Sequence, residues 1–435
     1  MTAMPIIPPL PERQPTDWTS PAMQARLAAR YRGERNFRRM GAAALLIAAS
    51  FLAFLLFTIV RDGWSGFLRT EARVEVTFTA ATLDVDPAAV AGPNGAATLA
   101  RADYLALMNE AAKGLDPAAG TLSDAAWLAL RDRLLADPAL LGQRVTVWVP
   151  VRSTIDLLAK GKYDLSAPAD SRGVSDREVE AWRWLEREGR LRTGFNAAFL
   201  GNADSTEPEL AGIGGAALGS LFTLFITIII AFPLGVLSAV WLEEFAPRGR
   251  LADVIELSIN NLAAVPSIIF GLLGLAFFLN FAGLPRSSPL VGGITLALMI
   301  MPVIVIAARV AIKAVPPSIR DAALGIGASP IQVVFQHVLP LSLPGIMTGT
   351  IIGIARALGE TAPLLLIGMR AFVTDVPQGI TAPATVLPMQ VFLWSDDVQR
   401  GFVEKTSAAI LVLLVILITM NSLAIYLRNR FERRW

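Results

Sequence analysis

Six stretches of this 435-residue chain stay apolar for about twenty residues or longer, at 41–60, 213–240, 255–281, 290–312, 345–369 and 407–427. A hydrocarbon core about 30 Å thick takes about 20 helical residues to cross at 1.5 Å each, so each stretch is long enough for one passage. The reading is an α-helical integral membrane protein with six transmembrane helices. Composition agrees, with 54% hydrophobic and 17% charged residues, and so does the mean hydropathy of +0.54.

The same composition excludes several chemistries. With no cysteine there is no disulfide, thiolate metal site or cysteine nucleophile, and the single histidine, His337, builds no histidine metal cluster. Neither GxxxxGK[ST] nor GxGxxG occurs, so no loop here is suited to cradle nucleotide phosphates. No cofactor bound by this chain, no metal site, no catalytic residue and no nucleic-acid partner is expected.

Orientation follows the arginines. Residues 1–40 form a basic arm with Arg26, Arg30, Arg32, Arg35, Arg38 and Arg39, too long and arginine-rich a lead for a cleaved signal peptide. The helix at 41–60 then reads as an anchor. The positive-inside rule places that arm in the cytoplasm, and six crossings return the arginine-rich tail YLRNRFERRW to the same side. Loops 241–254 and 313–344, with Arg248, Arg250, Lys313 and Arg320, then face inward, while 282–289 and 370–406 face outward.

Residues 61–211, between the first two spans, shift to mixed charge and are long enough for a domain. RVEVTFTAATLDV and RVTVWVPV alternate like strands, whereas ADYLALMNEAA, SDAAWLALRDRLLAD and SDREVEAWRWLEREGRL carry helical spacing. Ser123/Asp124 and Ser175/Asp176 stand where helix N-caps belong. The expectation is a small α/β extracytoplasmic domain, with FLGNADSTEPELAGIGG as the hinge back into the membrane.

The inward segment KAVPPSIRDAALGIGASPIQVVFQHVLPLSLP at 313–344 predicts a short helix after Pro316 and Pro317, a break at Gly325 and Gly327, and a second amphipathic run closing on Pro340 and Pro344. A simple interfacial hairpin would have this form. Asp321-Ala322-Ala323, then Gly327, then Leu339-Pro340, is also similar to the EAA loop of binding-protein-dependent ABC transporter permeases, with aspartate in place of the usual glutamate. That resemblance makes Asp321, Ala322, Ala323, Gly325 and Gly327 a coupling helix inserted into a separate ATPase subunit. The small alanines allow close approach, Asp321 is expected in the first turn where the helix dipole favours an acid, and Gly327 supplies a bend that a Cβ resists. His337 reads as an interfacial polar residue.

In ARALGETAPLLL, residues 355–366, two opposite charges interrupt an apolar run. If that span begins near Gly345, Arg356 lies roughly 17 Å in, close to the midplane, and Glu360 four residues on shares its helix face. A lone charge there costs about 2.5–3.5 kcal/mol even on the lenient insertion scale, and pairing relieves it. A structural salt bridge is one reading. Such pairs gain little over apolar residues of the same volume, however, and a guanidinium suits passing phosphate oxygens. The candidate substrate pathway is therefore Arg356, Glu360 and Thr361, with Ser267 beside the kink that Pro266 makes in VPSIIFGL. Arg309, near the inner end of the fourth span, reads either as an interfacial anchor or as part of that path. Gly345, Gly349 and Gly353 form a small-residue stripe for close helix packing.

GETAPLL, with VPSIIFGL at 265–272, MPVIVIAARVAIKAVPPSIRDAA at 301–323 and LPGIMTGTIIG at 343–353, resembles the A-type permeases of phosphate-specific ABC transporters over residues 213–430. The resemblance implies a type I ABC permease core in a bacterial inner membrane, with N- and C-termini cytoplasmic. It implies four kinds of partner: a second phosphate permease, an ABC ATPase dimer that uses the ATP, a periplasmic phosphate-binding protein, and membrane lipid. The 61–211 insert departs from shorter members of that family. Two other classes stay open at this point, an ion-coupled secondary anion transporter and a membrane sensor with a periplasmic ligand domain.

Overall fold

The computed structural model describes residues 18–431 apart from 116, 169–171, 248 and 371. Arg248, residues 1–17 of the basic arm and the last four residues of the arginine-rich tail lie outside the described residues. The chain divides into two compact units, residues 1–58 and 59–435.

Helix α1 runs Pro21–Gly63, 43 residues, so it begins about twenty residues before the expected anchor. The stretch RLAARYRGERNFRR is rich in arginine and alanine, both strong helix formers, and nothing in it stops the helix.

The second unit opens on a three-stranded antiparallel sheet, order β2-β1-β3, with β1 Leu68–Thr77, β2 Arg144–Pro150 and β3 Leu191–Phe195. Along β1, Ala72, Val74 and Val76 are buried while Arg73, Glu75 and Thr77 are exposed, the alternation that a half-buried strand requires. Register pairs Val74 with Val147 and Glu71 with Arg192. The expected strand stops at Thr77: in FTAATLDV the Thr79 hydroxyl reaches the Thr82 hydroxyl at 2.6 Å and closes a turn, with Asp84 at φ +51°. β3 was not foreseen, because LRTGF is too short for an alternation to show.

Helices α2 Tyr104–Lys113, α3 Trp127–Ala136, α4 Ser153–Ala159 and α5 Asp176–Arg187 accompany the sheet, and Leu107, Leu130, Ile155 and Leu185 share its apolar core. Ser175 caps α5 in a reciprocal box with Glu178, as expected. Ser123/Asp124 do not cap α3. Its N-cap is Ala126, and Ser123 instead closes a turn through the Ala125 amide at 3.4 Å.

The apolar remainder contains α6 Gly214–Val240, α7 Arg250–Ala263, α8 Ser267–Leu273, α9 Pro289–Lys313, α10 Pro317–Gly325, α11 Leu339–Gly359, α12 Ala362–Leu366, α13 Leu387–Ser395 and α14 Gly401–Phe431. Among the described residues five helices are long and apolar enough to cross a membrane, or six when the bent pair Arg250–Ala263 and Ser267–Phe281 is taken as one.

The kink expected at Pro266 is a break: α7 and α8 meet at 103°, because Pro266 forces the residue before it away from helical geometry. Two other expectations are corrected here. The 345–369 helix ends at Gly359, since the Pro363 ring would strike the Gly359 carbonyl and offers it no N–H. The run SPIQVVFQHVLP does not close on Pro340. It passes through a π-helical turn, Val333–Val338, straight into α11, giving one 30-residue helix over Pro330–Gly359.

Small residues set the helix spacing. A Cβ on Gly349 would lie 2.0 Å from Ala307 Cβ and one on Gly345 2.6 Å from Ala311 Cβ, so the glycine stripe lets α11 lie directly on α9. Gly293 on α9 meets Ile226 of α6 in the same way, at 2.6 Å, and Thr227 Oγ1 donates to the Gly293 carbonyl at 3.1 Å.

Candidate functional site

Arg356 stands in the last turn of α11. The helix buries Ile346, Gly349, Thr350, Gly353 and Ala357, and leaves Thr348, Ile352, Arg356 and Gly359 exposed at intervals of four, four and three. Arg356 thus belongs to the exposed residues of α11. Glu360 is not the next helical residue on that face but the C-cap, at φ −81°, ψ 120°. The pair still meets, through one contact of 3.3 Å from Arg356 Nε to Glu360 Oε1, with the side chains 43% and 19% exposed. One of five guanidinium N–H groups is therefore engaged.

Thr361 stands at the N-cap of α12, where its side chain makes no capping bond. Ser267 is the first residue of α8, directly after Pro266. The two motifs come together: a Cβ on Gly271 would lie 2.6 Å from Pro363 Cα, so α8 packs onto α12 without a side chain between them. Arg309 is elsewhere, near the end of α9, where it is 11% exposed between Glu243 and Glu256. It donates through Nη2 to Glu256 Oε2 at 2.8 Å and through Nε to Glu243.

In α10 Asp321 lies one turn later than expected, since the helix already starts at Pro317 and its first turn holds no acid. Asp321 and Ala322 are exposed, Ala323 is buried, Gly325 ends the helix, and Gly327 sits at φ +90°, a conformation that disfavours any side chain. Beside them Leu324, Ile326, Ile331 and Phe335 expose apolar surface.

Two charge clusters escaped the sequence reading. The first joins the sheet domain to α14. Lys160 Nζ donates to Asp156 Oδ2 at 2.6 Å, Glu404 Oε1 at 2.6 Å and the Leu68 carbonyl at 2.9 Å, with all three side chains 4–6% exposed. Asp156 Oδ1 also accepts from the Thr70 amide. Next to Glu404, Lys405 Nζ reaches the Gly66 carbonyl at 3.0 Å and lies 5.0 Å from the Phe199 ring. Asp156 and Lys160 stand four residues apart in the sequence, a spacing that could have marked a helix pair, whereas Glu404 lies 244 residues from Lys160. Nearby Glu209 is buried and neither oxygen has a hydrogen-bond partner among the described residues. Burial pushes its carboxyl up to about 7, opposed by the neighbouring Ser123 hydroxyl and helped by Glu207 and Asp156. The expected hinge is accordingly packed: Asp204 accepts from Trp394 Nε1 at 2.9 Å, and Phe199 and Ile213 join Leu387 and Phe402 in one apolar cluster.

The second cluster gathers Glu243, Glu244 and Glu256 around Arg309, Lys313 and Arg320. Its signal was the pair of adjacent acids, Glu243 and Glu244, ending an apolar run in a loop that also carries Arg248 and Arg250.

Residues 231–435 match the family described as "Binding-protein-dependent transport system inner membrane component", and residues 24–169 match a "Domain of unknown function (DUF3333)". The probable ABC transporter permease protein YqgI of Bacillus subtilis is 31% identical over 269 residues, 59% of this chain and 88% of its own length. Phosphate transport system permease protein PstA 1 of Mycobacterium tuberculosis is 31% identical over 231 residues, 52% of this chain and 74% of its own. The chain belongs to the PstA-like ABC transporter permeases. Phosphate transport system permease protein PstC of Haemophilus influenzae is 31% identical too, over 226 residues, 46% of this chain and 70% of its own. This permease is a multi-pass transport subunit, not an enzyme.

Proposed function

We propose that the permease forms, with a second and related permease, the translocation path of an ATP-driven importer of inorganic phosphate. Arg356 is the cation that the anion meets. Glu360 holds the guanidinium through one bond when the path is empty and competes with the passing ion, so that capture stays weak enough for release. In this reading Thr361 and the backbone groups of the helix end at Gly359 add polar partners for the anion. Alternating access is driven by two ATPase subunits that dock on the exposed Leu324, Ile326, Ile331 and Phe335 surface around Asp321–Gly327. ATP is hydrolysed there and not by this chain.

The remaining assignments follow the arginines. The permease sits in the bacterial inner membrane with both ends cytoplasmic, which puts the 61–211 domain outside, on the side from which a phosphate-binding protein delivers its cargo. Arg309, clasped by two carboxylates, is a structural tie in this scheme and not a station on the path.

One observation carries the reading: a half-exposed arginine with a single 3.3 Å contact, at the end of a helix otherwise fixed by close packing, in a chain of this family. The test is reconstitution of the permease with its second permease, ATPase and binding protein in vesicles, followed by uptake of radiolabelled phosphate. Uptake should require ATP and be competed by unlabelled phosphate. Uptake driven by an ion gradient without ATP, or indifferent to phosphate, would overturn it.

A further inference from the structure

Beyond its chain connection to α9 through residues 314–316, helix α10 is joined to the rest of the permease in two ways. Its apolar side, through buried Ala323, packs in the same cluster as Val315, Val333 and Val334, at the head of the long helix that becomes α11. Among the described residues its polar side-chain attachment is a single residue, Arg320. Nη1 donates to the Val315 carbonyl at 2.6 Å, and Nη2 donates to the Ile312 carbonyl at 3.0 Å and to Glu244 Oε1 at 2.7 Å. Nε donates to the same carboxylate at 3.1 Å and 3.3 Å. The arginine is 22% exposed and Glu244 12%.

Each contact has a physical reason. The Ile312 carbonyl lies in the last turn of α9, where it also accepts from the Val315 amide at 3.2 Å and where a cation is favoured by the helix dipole. Glu244 belongs to the π-helical turn Trp241–Phe245 that ends α6. Its neighbour Glu243 serves a different arginine, Arg309 of α9, with Lys313 at 3.4 Å. Two adjacent carboxylates at the end of α6 therefore hold two different elements, α9 through Arg309 and α10 through Arg320.

We propose that Arg320 is the positioning residue that clamps α10 to the end of α6, so that a displacement of α10 is transmitted to α6 as well as to α9 and α11. This rests on the docking role of α10 given above. Without the clamp α10 would still be attached to the head of α11 and, through residues 314–316, to α9, and the ATPase would still find its surface, but α6 would not follow. A lysine reaches Glu244 and yet cannot hold two carbonyls and a carboxylate at once, so it serves only in part.

Two measurements test the clamp. The chain has no cysteine, so Ser318→Cys on α10 and Leu237→Cys on α6 can each carry a spin label in the full-length permease in lipid nanodiscs. The inter-label distance distribution should be narrow with Arg320 and broaden with Arg320→Gln and with Glu244→Gln. In the reconstituted complex, Arg320→Gln should keep its ATPase on copurification while phosphate moved per ATP hydrolysed falls on the order of tenfold, with Arg320→Lys between. Unchanged distance distributions, or an unchanged ratio in an assembled complex, would overturn the clamp. A complex with the native arginine that moves no phosphate sinks the importer reading, while the distance measurement still decides the clamp.

Discussion

Lys160 and Arg356 are both cations facing a carboxylate four residues away, and they are held in opposite ways. Lys160 has a partner for each of its three ammonium donors and is 4% exposed; Arg356 uses one of five and is 43% exposed. A charge kept for architecture is closed off, because every unmade bond in a dry site is costly. On the proposed function, a charge kept for a passing ion has to stay open. The first joins the sheet domain to α14, and the second ends α11.

The difference can be attacked from its larger effect downward. Lys160→Met should strand Asp156 and Glu404 without their common cation, and should destabilise the joint between the sheet domain and α14 by about 3–5 kcal/mol, read as a lower Tm and faster proteolysis between residues 61 and 211. If melting is unchanged, the cluster is not what holds that joint.

Glu209 gives the same region a pH dependence. The folded chain keeps its proton up to about 7, whereas an unfolded carboxyl releases it near 4.5. The folded state is therefore favoured most below 4.5, and that advantage disappears as pH rises through 7. Glu209→Gln should flatten this fall and leave the variant more stable at pH 8 by roughly 3 kcal/mol, measured by thermal melts across pH 5–8. Parallel curves for the two proteins would remove Glu209 as the cause.

Gly349→Val acts on the support of the open cation. With Ala307 Cβ only 2.0 Å from where a Cβ would go, α11 has to move off α9, costing about 1–3 kcal/mol and displacing Arg356. Both stability and uptake should fall, and a variant that lost only one of them would separate packing from placement. Smallest of all is the stability effect of Arg356→Gln, below about 1 kcal/mol for so exposed a pair.

The contrast also marks how far the sequence could be read. Apolar length located five of the spans, and glycine spacing marked the close-packing face of α11 though not its partner α9, because helix length and small-residue stripes are local properties. Pro266 announced a bend, though not its 103° size. Arg356, Glu360 and Gly327 were legible as charges or glycines in an unusual setting. Lys160–Glu404 and Arg320–Glu244 were not, since their partners lie 244 and 76 residues apart and tertiary packing alone brings them together. The ends of α11 were misplaced for a related reason: a π turn absorbed the proline that was expected to close one helix, while another proline broke a run that looked continuous.

Radiolabelled phosphate uptake by Arg356→Gln in the complete complex, with Tm and ATPase copurification measured on the same preparation, addresses the open cation most directly. Uptake should fall to background while the melting temperature and the bound ATPase stay as they were. Full uptake in that variant would contradict the account and return Arg356 to the same class as Lys160.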